Sequence, residues 1–184
     1  GNTWARLDRT SKGEVSRGAL ESWDDLDRLV MPDLARRENY AVVRQACERN
    51  ARERFVIGHL PGFPFNLARK LRRLDQFLMD ILLEPERVKA LCGRIEALLA
   101  ETIVAYAESG VDAVMFPEDW GTQRGLMIRP ALWREIFAPR YAEQFDMIHA
   151  AGRALSTLRG KCGTRYFRHP SARVRATRRV NCSS

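Results

Sequence analysis

Apolar positions along this chain follow two different spacings. From Pro85, a favoured first-turn residue, Val88, Leu91, Cys92, Ile95, Leu98, Leu99, Thr102 and Tyr106 recur at three- and four-residue steps until Gly110, which predicts one long amphipathic helix. Arg54-Phe55-Val56-Ile57-Gly58-His59-Leu60 is instead a compact apolar run closed by Pro61-Gly62 and predicts a buried strand. Val111-Asp112-Ala113-Val114-Met115-Phe116 predicts a second strand, limited by Pro117. A short helix is expected over Leu20–Met31, with Ser22 and Asp25 spaced as in a capping box and Pro32 as its stop, and another over about 34–52. After the polar loop 118–129, Pro130 opens a helix that Pro139 splits or kinks and Gly152 ends. The order strand, helices, strand, loop, helix is that of parallel βαβ units, so the chain reads as α/β. Two strands do not close a sheet. Either Ala154–Leu158 adds a third to a small open sheet, or further strands lie outside this sequence.

Composition fits an ordinary domain: of 184 residues, 45% are hydrophobic and 29% charged. The strongest apolar stretch, Phe77 to Leu83, is interrupted by Asp80 and is far shorter than the roughly 20 residues that cross a bilayer, so no membrane association and a cytoplasmic location are expected. The net charge of +8 is unevenly placed. Residues 1–152 carry 22 basic and 23 acidic residues, whereas residues 153–184 carry 9 basic residues and no acid. The chain therefore divides into an α/β domain over 1–152 and an atypical basic tail over 153–184. Cys47, Cys92, Cys162 and Cys182 have neither the pairing of a zinc or redox site nor the density of a disulfide scaffold, and no metal site is expected from them.

Two stretches carry recognisable chemistry. One is Gly62-Phe63-Pro64-Phe65-Asn66-Leu67-Ala68; the other runs from Gly110 to Phe116, through Glu118-Asp119-Trp120-Gly121, to Pro130, Phe137, Pro139, Arg140 and Tyr141. Together they resemble the uroporphyrinogen decarboxylase family and its corrinoid-linked methyltransferase relatives, over roughly residues 20–152. The resemblance implies a (β/α)₈ TIM barrel with parallel strands, about half of which this chain would supply, because a complete barrel typically takes about 250 residues. It also implies a small-molecule substrate, a tetrapyrrole in the decarboxylases, whose acetate side chains lose their carboxyl groups in porphyrin biosynthesis without a cofactor. In the methyltransferase relatives, zinc and a corrinoid partner serve instead. A homodimer is the expected state of the intact protein.

In such barrels chemistry sits where strands end, and both motifs follow predicted strands. Glu118 and Asp119 are adjacent carboxylates there, suited to acid/base work if their charges raise one another's affinity for protons. Helix capping, or a loop ion pair with Arg124 or Arg129, is the structural alternative. Trp120 offers a pocket wall or a core contact. Gln123 and Arg124 are placed to hold a substrate carboxylate or to be solvated loop residues, and His59 ends the first strand at the same end as Asp119 if the two are parallel. Lys70 falls where the family's substrate-contacting Tyr stands, and Asp119 where its Ser stands. A phenol and a hydroxyl are thus replaced by an ammonium and a carboxylate. The family's critical Asp belongs to an N-terminal loop that the resemblance places ahead of Gly1. The cluster Arg69, Lys70, Arg72 and Arg73 reads as a substrate-carboxylate contact or as a solvated helix face.

After Gly152 the family pattern continues into a strand and a His-Ser-Cys-Gly or His-Ser-Asp-Gly loop, neither of which stands here. With only Tyr166 and Phe167 for stacking, nucleic-acid binding by the tail is the weaker expectation, kept as an alternative in which the chain is a small α/β binding module. A shifted reading frame is the preferred one. Codons for Ala154 to Arg159, displaced by one base, can be chosen to read Arg-Tyr-Leu-His-Ser-Gly. The gene's nucleotide sequence should show a family-like continuation in another frame, and its absence would end that explanation.

Overall fold

The computed structural model describes residues 1–159 apart from 7, 10–12, 51–52 and 123, so most of the basic tail lies outside the described residues. Its centre is a three-stranded, wholly parallel sheet: β3 (Ile57–His59), β4 (Ala113–Glu118) and β5 (Ala154–Arg159), neighbours in chain order. Ile57 lies opposite Ala113 and His59 opposite Met115, while β5 pairs along β4 from Ala113–Ala154 to Glu118–Arg159. Of the two alternatives for the sheet, a third strand at Ala154–Leu158 is the one among the described residues. Between β3 and β4 run α2 (Pro64–Arg72), α3 (Leu74–Leu83) and α4 (Pro85–Glu108). Between β4 and β5 run α5 (Pro130–Leu132), a π-turn over Trp133–Phe137, and α6 (Ala138–Ala150).

Each strand face has its own environment, because side chains alternate across a strand. Val114, Phe116 and Glu118 point with Gly58 into the helix layer. Gly58 is there because α4 comes so close that a Cβ would sit 2.7 Å from the Tyr106 ring. Phe116 stacks on Phe63, with centroids 3.6 Å apart, and also meets Phe145 and Tyr141 of α6. The long helix α4 buries the predicted stripe, including Val88, Leu91, Cys92, Ile95 and Leu99, with Tyr106 half-buried at its end. On the opposite sheet face, Ile57 and His59 are exposed and Met115 and Pro117 half-buried, although Ala113 is covered.

The first 50 residues depart most from expectation. A hairpin of β1 (Thr3–Ala5) and β2 (Glu14–Arg17), which the hydrophobic pattern does not reveal, precedes everything else. Only Val15 of it is buried, so its strands lack the alternation that marks a half-buried sheet. The helix expected over Leu20–Met31 is a 3₁₀ segment, Trp23–Arg28, whose Ser22 hydroxyl accepts from the Asp24 N–H. Arg94 of α4 ends it from outside by donating to the carbonyls of Leu26 and Leu29. The next helix is shorter than the expected 34–52: a 3₁₀ turn over Arg37–Tyr40 leads into α1 (Ala41–Asn50).

Pro139 has the predicted effect by an identifiable route. The N–H of Ala138 bonds the carbonyl of Trp133, five residues back, so the ladder widens into a π-turn just before the residue that has no N–H to give. The basic cluster of α2 disperses instead of forming one patch. Arg72 is buried, donates to Asp80 at 2.8 Å and to the carbonyls of Leu20 and Glu21, and lies 4.7 Å over the Trp23 ring. Arg73 pairs with Asp75, and Arg69 donates to Asn66.

The strand expected over 54–60 is confined to Ile57–His59, and although Leu60 after it is fully buried, Phe55 before it is 65% exposed and Ile57 within it 44%. Among the described residues β3 pairs on one side alone. An apolar strand with a free edge templates association, and an edge lysine opposes it. By itself the 184-residue chain should self-associate and bind hydrophobic dyes, and Phe55→Lys should reduce both while retaining helix content. Sedimentation with far-UV circular dichroism checks this; a monodisperse, sharply melting wild-type chain would refute it.

Candidate functional site

The two motif-bearing segments meet at the C-terminal ends of β3 and β4. The helix α2 begins in the first motif, with Phe63 as its N-cap and Pro64 in its first turn, and no side chain of its own first turn caps it. The missing acceptor comes from the next strand. Glu118, last residue of β4, points into the helix layer, and its Oε1 accepts from the N–H groups of Phe63 at 2.8 Å and Asn66 at 3.1 Å. These are N-cap and third-position amides, which a helix cannot satisfy internally. Its Oε2 accepts from the Tyr141 hydroxyl of α6 at 2.8 Å, and the Tyr141 oxygen accepts from Trp120 Nε1 at 3.0 Å. The Asn66 amide also donates to the Pro117 carbonyl at 3.3 Å.

Glu118 is buried, and taking its charge out of water pushes its carboxyl up to about 7, even though three donors and the Arg69 charge pull the other way. The neighbouring carboxylate does not cause the shift. Strand alternation sends Asp119 to the opposite side, where it is exposed and its Oδ1 accepts from the Gly121 N–H at 3.2 Å. Glu118 and Asp119, adjacent in sequence, therefore have separate surroundings, and Glu118 makes no ion pair with Arg124 or Arg129. The capping reading of Glu118 holds, with the helix coming from the other motif.

Trp120 is buried at 3% exposure, stacks on Phe65 with centroids 3.7 Å apart, and packs edge-on against Trp133 and Phe137. It is core, not an open pocket wall. The loop beyond it folds on itself through a Gly121–Leu126 bridge and the Thr122–Gly125 turn, which leaves Arg124 exposed. Gln123 lies outside the described residues. Lys70 on α2 is half-buried, and desolvation, then the Arg69 charge, lowers its ammonium below the usual lysine range while Glu118 and Glu14 partly offset this. His59 is exposed at the end of β3, and because β3 and β4 are parallel it does share an end with Asp119.

At this end of the sheet, its mouth, His59 and Asp119 are exposed and Arg124 lies on the exposed loop that follows, while Lys70 is half-buried on α2 within electrostatic reach of Glu118, and Glu118 and Trp120 are buried. Tyr141 and Asn66 are the residues that sequence reasoning left out of the site. Their signal was membership of the two motifs, but nothing in the spacing tells that one carboxylate joins them. Among the described residues no three His, Cys, Asp or Glu side chains gather as a metal ion requires, so the set does not fit zinc, and no chemical step is assigned to it.

The displacement of Glu118 has a sign that can be measured. Its folded value lies above the ordinary carboxyl value of 4.5, so the native state holds the extra proton between pH 4.5 and about 7. Stability from this group is full below that window and falls as pH rises through it, by roughly 3 kcal/mol. In a barrel-complete protein carrying these residues, denaturant unfolding should show wild type losing stability relative to Glu118→Gln over that range. A difference that is flat or rises with pH would mean that the three donors outweigh burial.

The sequence model of the family described as Uroporphyrinogen decarboxylase (URO-D) matches residues 8–172. Among solved structures, a methyltransferase from Methanosarcina mazei is similar with a TM-score of 0.65 at 15% identity, over 87% of this chain and 47% of that one. The chain therefore spans about half the length of that relative, and the likeness is one of fold. No curated protein sequence matches significantly. Among the described residues, no helix is long and apolar enough to cross a membrane. With nine-tenths of its length under the family match and both motifs at the ends of adjacent parallel strands, the chain belongs to the uroporphyrinogen decarboxylase family.

Proposed function

We propose that these residues form about half of a (β/α)₈ barrel enzyme whose reaction takes place at the mouth described above, and that this reaction removes carboxyl groups from the acetate side chains of a tetrapyrrole. The observation that carries the reading is the joining of the two motif loops by Glu118 at the C-terminal ends of neighbouring parallel strands, the end at which such barrels hold their sites. Family membership and the coverage of about half of a related structure support it.

In this reaction the bond between the side-chain methylene and the carboxyl carbon breaks, carbon dioxide leaves, and a proton takes its place on the methylene. The mouth offers groups for both needs. Lys70, with its ammonium lowered by partial burial, is the proposed partner for a substrate carboxylate and is closer than an ordinary lysine to giving up a proton near neutral pH. Asp119 is the proposed acceptor for substrate N–H groups, with Arg124, His59 and Gln123 as further contacts. Glu118 and Trp120, proposed from sequence as catalytic and substrate-binding, are better placed as the support of these residues.

A second reading, methyl transfer with a corrinoid partner, is supported by the carboxylate of Asp119 standing where the decarboxylases have a hydroxyl. The barrel-complete protein should be incubated with uroporphyrinogen, and separately with a methyl donor and a corrinoid protein. Loss of substrate carboxyl groups is the expected result, reduced by about 10² or more in Lys70→Met and Asp119→Ala. Methyl transfer alone would favour the second reading, and inactivity with both would reject both.

A further inference from the structure

A buried carboxylate on a strand that feeds an active site has two possible employments. It can exchange a proton with substrate, or it can hold the parts that do. The surroundings of Glu118 decide between them. Both oxygens are already engaged by protein donors, Oε1 by two backbone amides and Oε2 by a phenol, and its side chain faces the helix layer, away from the face that Asp119 shares. The groups whose charge reaches it are Arg69 and Lys70 on α2, Cys92 on α4 and Tyr141 on α6, and of these Tyr141 is hydrogen-bonded to it.

What Glu118 does touch are the beginnings of both motif loops. One oxygen fixes the start of α2, the helix that carries Lys70. The other fixes Tyr141, whose oxygen holds the Trp120 indole and with it the segment that starts at Asp119. The Phe65–Trp120 stack connects the same two segments on their apolar side. We propose that Glu118 is a positioning residue: through the Phe63 and Asn66 amides and the Tyr141–Trp120 relay it holds Lys70 and Asp119 in one fixed relation across the mouth. This deepens the functional reading above and rests on it for the identity of the two residues being held. A displacement of about 1 Å between reacting groups is enough to cost roughly a hundredfold in rate, so such a clamp has a kinetic consequence without contact with substrate.

The test is hydrogen–deuterium exchange on the barrel-complete protein, followed by kinetics. Glu118→Ala should speed exchange in 62–67 and in 119–128 together, by about tenfold or more, and leave 88–104 of α4 unchanged. Glu118→Gln keeps an oxygen for the two backbone amides and should protect 62–67 within about threefold of wild type. Tyr141→Phe, which removes the relay but not the cap, should loosen 119–128 and spare 62–67. On whichever of the two substrates turns over, Glu118→Gln should retain most of the kcat that Glu118→Ala loses. Loosening that spreads to 88–104, loosening of a single loop in Glu118→Ala, or equal loss of kcat in Gln and Ala would overturn the proposal. If neither substrate is turned over, the functional reading fails while the exchange pattern still decides the clamp.

Discussion

A carboxylate moved out of water needs donors to replace its hydration, and Glu118 finds three of them on two other segments. That requirement ties the end of β4 to the start of α2 and to the first turn of α6. The helix gains as well, because its first amides point at a position where only another element can supply an oxygen. Neither party is satisfied alone: without Glu118 the Phe63 and Asn66 amides are orphaned, and without them Glu118 is a bare buried charge. The contact is therefore a fixed point of the packing, and the aromatic cluster of Phe63, Phe116, Trp120, Tyr141 and Phe145 is assembled around it.

The alternation of β4 then sorts the site. Phe116 and Glu118 enter the helix layer, so the next residue, Asp119, is turned to the other side at the point where the strand gives way to a loop. Support and exposure alternate by a single residue. Alternation along β3 likewise leaves Ile57 and His59 on a face that the described residues do not cover.

Much of the helix layer was legible because its signal is local. The stripe from Val88 to Tyr106 has one period over 24 residues of α4, and Pro85 and Gly110 mark its limits. The parallel sheet was legible from element order and from strands bounded by Gly and Pro. The hairpin at Thr3–Arg17 was not, because it buries a single side chain, and the chain just after it meets α2 through backbone: Leu20 donates to the Leu71 carbonyl, and Gly18 stands where a Cβ would lie 2.2 Å from that oxygen. In the site, the pair Glu118–Asp119 was visible as chemistry but not as geometry. Two adjacent carboxylates suggest mutual repulsion, yet the strand separates them, and burial sets the state of the first. Trp120 was ambiguous for a similar reason, since an indole serves equally as wall or core until its N–H partner is known.

The two ends of the sheet use one device at different depths. At the lower end Asp112 accepts from the Val56 N–H through its side chain at 2.7 Å and returns its own N–H to the Val56 carbonyl at 2.9 Å, stitching the start of β4 to the start of β3. That carboxylate is exposed, beside an open polar cleft of about 680 Å³ lined by Arg44, Asn50, Glu108 and Arg153, so water shares its charge. At the upper end Glu118 makes a comparable stitch, from β4 to the start of α2, in the interior, and a second arm through Tyr141 is added, although burial still raises its affinity for a proton. A stitch in water needs only to hold two strands in register. One built in the interior costs desolvation that register alone does not require, and the extra connection it makes runs to the loop of Asp119. Burial therefore falls on the carboxylate that joins three segments, and exposure on the one that joins two strands.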